Sequence, residues 1–112
     1  MPWLLRDGQV LATLEVAGSR SARARGLLGR DGIDGAILLR PARSVHTLGM
    51  RFPIDVAYCD SALQVVSARC MRPYRMGLPR LRACCVVEAE AGAFERWQLR
   101  PGDTLEIRET QG

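Results

Sequence analysis

The apolar residues of this chain arrive in short runs that Gly, Pro, Asp or Ser cut off every few positions. Residues 4–5, 10–16, 35–39, 51–59, 63–68, 84–88 and 104–108 each read as one short strand. Asp7-Gly8, between the first two, is a hairpin-turn signal. Within 51–59, Phe52, Ile54, Val56 and Tyr58 alternate onto one face, which sends Asp55 to the other. Pro53 lacks an amide donor and predicts a sheet edge or a bulge there. Two segments have helical character instead. Ser19 or Ser21 can cap a short helix ended by Gly29, with Ala24, Leu27 and Leu28 inside; residues 91–97 can form a second one that buries Phe94 and Trp97. The expected architecture is mainly β (α+β), a single domain over residues 1–112. Its form would be a compact barrel- or sandwich-like antiparallel sheet of about six to eight short strands with one or two short helices.

Composition removes several chemistries. All 16 basic residues are Arg, against 12 acidic ones, and the chain has neither Lys nor Asn. A Schiff-base lysine, a phosphate-loop lysine and an N-glycosylation site are therefore excluded. His46 is the only histidine, and the four cysteines (Cys59, Cys70, Cys84, Cys85) form no C-x-x-C pair, so no metal and no cofactor is expected. In a strand, Cys84 and Cys85 point to opposite faces and cannot bond to each other; reduced, small apolar residues are expected, with a redox role as the competing reading. The N-terminus meets a charge at Arg6, too soon for an export signal, and no apolar run approaches membrane-spanning length. A cytoplasmic chain without a transmembrane segment is expected.

The run Ser44-Val45-His46-Thr47-Leu48-Gly49-Met50-Arg51-Phe52-Pro53-Ile54-Asp55 closely resembles the central motif of the domain of unknown function 192 family, in the branch that reads His-Thr-x-Gly-Met-x-x-Pro-Ile-Asp. Upstream, Arg25-Gly26-Leu27-Leu28-Gly29-Arg30 is similar to that family's Arg-Gly-Leu-Met-x-Arg segment, with Leu28 where Met is usual. Downstream, Val87-Glu88, Ala91-Gly92 and Gly102-Asp103 match its Leu-Glu, Ala-Gly and Gly-Asp pattern. The resemblance implies a small, mainly β bacterial or archaeal domain and implies no reaction, since none is attached to the family. In the other branch the motif has an Asn where this chain has Gly49, so a role for that side chain does not carry over.

These residues suggest a small binding or accessory module with a loop-lined polar pocket near His46 and Asp55. Gly49 would let the chain fold back so that His46 meets Asp55, with Arg43, Thr47, Arg51 and Asp103 as further ligand-binding candidates for a small anionic ligand. A hydrolase-like enzyme that uses His46 and Asp55 is the alternative. The competing structural reading has His46 and Thr47 bonded to loop backbone, Asp55 satisfying buried amides, and Asp103 in a turn. A third possibility is Arg-mediated binding of nucleic acid or of an acidic partner. It rests on Arg69, Arg72, Tyr74, Arg75, Arg80 and Arg82, in a stretch without a single acid. Nucleic acid is the less favoured partner, because no known nucleic-acid module is present.

Overall fold

Asp7 and Gly8 both adopt left-handed backbone (φ 52° and 78°) and join β1 (Pro2–Arg6) to β2 (Gln9–Ala17) in the predicted hairpin. The structure is a computed structural model that describes residues 2–109. Among these, β2 is followed by α1 (Arg20–Arg25), β3 (Ala36–Leu39), β4 (Ile54–Cys59), β5 (Val65–Met71), β6 (Cys85–Glu90), α2 (Ala93–Trp97) and β7 (Glu106–Glu109). The seven strands form a sheet in the order β5-β4-β6-β3-β2-β1-β7. Mainly β with two short helices, it agrees with the expected class. It differs in one pairing: β2 and β3 run parallel, from Leu14 opposite Ala36 to Ala17 opposite Leu39. Parallel neighbours need a crossover, and the segment carrying α1 supplies it.

The sheet does not close into a barrel, but its two edges are drawn together. An isolated bridge joins Gln64 to Thr104, and backbone bonds run from Val65 N to Asp103 O and from Gly102 N to Val65 O, both at 2.8 Å. Each face is apolar. On one side Ala57, Cys59, Val87 and Ala89 pack with Leu4, Leu14, Phe94 and Leu105. On the other, Ile54, Val56, Tyr58 and Val86 pack with Leu27, Ile37, Val45 and Met50. The predicted alternation along β4 is thus present, with Asp55 facing the first cluster.

Three local expectations need correction. Although Pro53 suggested an edge or bulge, β4 lies between β5 and β6, and Pro53 sits just before its first residue, where no ladder donor is required. Helix α1 stops at Gly26 rather than Gly29. The Gly26 backbone (φ 47°, ψ −121°) is one that residues with a Cβ avoid, and its N–H bonds to Ala22 O at 2.9 Å. Stopping there leaves Ala24 exposed, while Leu27, past the helix end, is buried. The Ser19 cap is as expected, its hydroxyl accepting from Ala22 N at 3.1 Å.

Candidate functional site

Strand β6 is buried from Cys85 to Ala89, and alternation turns Glu88 toward the face that carries Val56 and Ile37, its direct neighbours in register. Only 4% of Glu88 is exposed, and among the described residues its carboxyl has no hydrogen-bond or ion-pair partner. Burial alone pushes its pKa up to about 7. Beside it lies a cavity of about 60 Å³ whose wall includes Arg23, Arg25, Gly26, Ser44, His46 and Glu88. A Cβ on Gly26 would stand 3.9 Å from Glu88 Oε1, so the end of α1 passes directly over the carboxyl. This volume is several times the ~10–15 Å³ that one water needs, and far below a drug-sized pocket. The site therefore combines a buried acceptor, a small space and a rim containing two arginines and an imidazole.

His46 opens onto this cavity as an exposed residue, and its backbone bridges to Met76. Asp55 does not join it. The Asp55 carboxylate Oδ2 accepts the Gly92 and Phe94 amides, both at 3.0 Å, and so caps α2 on the opposite face of the sheet. The expected convergence of His46 and Asp55 is overturned by register. Adjacent β4 positions face opposite ways, and it is Val56, not Asp55, that shares a face with Glu88 and the His46 cavity. Asp55 edges a wider, open depression with Arg69, Cys70 and Arg100, but its carboxylate is already engaged there.

Thr47 is fully buried and fully used. Its hydroxyl donates to Arg72 O at 2.6 Å and accepts from Arg75 N at 2.8 Å, and its own N–H donates to Arg75 O at 2.7 Å. It pins the 72–76 loop and is not exposed to a ligand. Thr47→Val should therefore lower stability by about 1–2 kcal/mol and speed amide exchange at Arg75, as chemical unfolding and hydrogen exchange will read.

The remaining candidates scatter. Asp103 pairs with Arg6 at 3.1 Å and accepts the Arg100 amide at 2.9 Å, closing the turn before β7. Arg51 reaches Asp31 at 2.9 Å in an exposed pair, and Arg43 is exposed with its carbonyl bonded to Arg80 N. Neither lines the Glu88 cavity. Arg69, Arg72 and Arg75 share a shallow polar groove with Met76. Tyr74 and Arg82 are exposed, whereas Arg80 turns inward, its guanidinium 5.4 Å from the centre of the Tyr58 ring. All four cysteines are free; Cys59 and Cys85 are buried opposite each other in register, and Cys70 and Cys84 are exposed.

Residues 3–107 match the family model of DUF192, described as an uncharacterised conserved family. The chain belongs to the DUF192 family. A UPF0127 protein of Pyrococcus furiosus is 38% identical over 63 residues, which covers 56% of this chain and about half (54%) of that protein. The Pyrococcus horikoshii counterpart is 28% identical over 97 residues, covering 82% of this chain and 84% of its own. Among solved structures, a protein of unknown function from Novosphingobium aromaticivorans has a TM-score of 0.81 at 20% identity, covering 94% of this chain and 83% of that one. A candidate transcription regulator from Sinorhizobium meliloti has a TM-score of 0.79 at 23% identity, with coverage of 95% and 91%. At these identities the two structures show a shared fold and nothing about activity. Glu88 was missed as a site residue although Val87-Glu88 stands in the family pattern. The available signal was a lone acid inside the apolar run from Cys84 to Ala89.

Proposed function

We propose that this DUF192 protein is a small binding module whose ligand enters the cavity beside Glu88. The supporting observation is the carboxyl of Glu88, a residue only 4% exposed, which has no hydrogen-bond partner among the described residues and lines a space large enough for a few heavy atoms. A carboxyl with so little access to solvent loses most of its hydration, and a ligand that supplies a donor recovers part of that cost. Arg23, Arg25 and His46 in the wall favour negative charge on the same ligand. The fitting class is a small acid that also carries a hydroxyl or amino donor. This agrees with the small anionic ligand suggested by sequence but replaces Asp55 by Glu88 as the acceptor.

Glycolate, lactate and glycine, with acetate as the donor-free control, test the proposal by NMR titration. The donor-bearing acids should shift the Gly26 and His46 signals and acetate should not. Glu88→Ala should weaken glycolate about tenfold, the effect of losing one hydrogen bond to a charged group. Equal binding of acetate and glycolate, or a Glu88→Ala protein that binds glycolate as the parent does, overturns it.

A further inference from the structure

Seven large hydrophobic residues are exposed among the described ones, and five of them fall in two loops: Leu48, Tyr74, Met76, Leu78 and Leu81. Met76 and Leu78 are each 75% exposed, and Leu81 87%. Such exposure is expensive for a free surface when it clusters. The two loops are laced into one face. Gly77 N bonds to Val45 O at 2.8 Å, Arg80 N to Arg43 O at 2.9 Å, and Thr47 holds Arg72 and Arg75 as described. The tips are therefore presented by an anchored backbone.

Every formal charge carried by these two loops themselves is positive, although Arg51 is paired with Asp31 from another segment at 2.9 Å. Residues 35–54 and 61–87 contain no Asp or Glu. Arg43, Arg72, Arg75 and Arg82 are exposed, and among the described residues none of them forms an ion pair. Cations interleaved with protruding aliphatic tips match a surface that is anionic at its outer layer and apolar just beneath. That is the cross-section of an anionic lipid leaflet. Single-stranded nucleic acid would share the phosphate chemistry, but it rewards aromatic platforms, and here Tyr74 is the lone aromatic among the five exposed tips, beside Leu48, Met76, Leu78 and Leu81.

We infer that the face built from residues 43–51 and 72–82 docks on anionic lipid surfaces, with Met76, Leu78 and Leu81 entering the headgroup layer and Arg72, Arg75 and Arg82 binding lipid phosphates. The docking is peripheral, since no helix of the described chain is long and apolar enough to cross a membrane.

The test is flotation with phosphatidylcholine vesicles made with and without phosphatidylglycerol. The chain should float with the anionic vesicles and stay behind with the neutral ones. Arg72→Gln/Arg75→Gln/Arg82→Gln should lower partitioning about 100-fold, at roughly fivefold per arginine. Leu78→Ser/Leu81→Ser should also release the protein, while both variants keep the parent's unfolding midpoint because the changed side chains are exposed. Equal flotation with both vesicle types, or undiminished flotation of the leucine variant, overturns the inference. So does tighter binding to a single-stranded oligonucleotide than to anionic vesicles. A dimer in solution that the leucine variant dissociates, with no flotation of the parent, overturns it in favour of self-association.

Discussion

Asp55→Ala is expected to remove about 3 kcal/mol of folding stability and to lower the thermal midpoint by on the order of 10 °C. The reason lies in two amides. Oδ2 of Asp55 accepts both the Gly92 and Phe94 N–H groups at 3.0 Å, and these are donors at the start of α2 that no residue within the helix can satisfy. Gly92 brings no side chain that could cap the helix, so the cap comes from β4, 37 residues earlier. Losing it frays α2 and with it the seat of Phe94 and Leu99 in the core. Asp55→Asn should recover about half of the loss, because a single amide oxygen can take both bonds without the charge. Calorimetry and urea unfolding will read both variants. A loss smaller than about 1 kcal/mol for Asp55→Ala would mean that the two bonds contribute little, and would return Asp55 to the list of functional candidates.

The same residue shows how far sequence reading reaches. Alternation along residues 54–58 correctly divided Ile54, Val56 and Tyr58 from Asp55, because a strand has a two-residue repeat whatever its partners are. Turn chemistry was legible for a similar reason, as at Asp7-Gly8, where local backbone preference suffices. What the sequence could not supply was which element covers each face. The expectation that Gly49 would fold His46 back over Asp55 required that knowledge. In the structure His46 and Glu88, 42 residues apart in sequence, instead line one cavity beside the end of α1. The parallel placement of β3 against β2 was hidden in the same way, since strand patterns carry no direction. The arginine stretch was recognised as irregular and cationic, but only packing tells Arg80, folded over Tyr58, from Arg82, which faces solvent.

Glu88→Gln should make the protein more stable at alkaline pH and leave it unchanged in acid. The carboxyl is buried without a partner, so its charged form is penalised and its pKa rises from the ordinary 4.5 to about 7. The folded state thus holds this proton more tightly than the unfolded chain does. The contribution is complete below about pH 4.5 and is lost as pH climbs through about 7. A rise from 4.5 to about 7 corresponds to roughly 3 kcal/mol at 1.36 kcal/mol per pKa unit. Glutamine has the same shape and never ionises. At pH 8 it should gain about 2–3 kcal/mol over the parent, and at pH 4 the two should agree within about 0.5 kcal/mol. Urea unfolding across this range measures the difference directly. If the parent and the Gln variant lose stability in parallel from pH 5 to 8, Glu88 is not the group responsible, and its carboxylate must have found a partner or water in solution. If the predicted gap opens, Glu88 is a residue that weakens the neutral-pH fold, and glycolate should then raise the midpoint of the parent at pH 8 by more than that of the Gln variant, whose amide keeps an acceptor oxygen but not the charge. A stability gap that glycolate does not narrow would keep the buried charge but separate it from ligand binding.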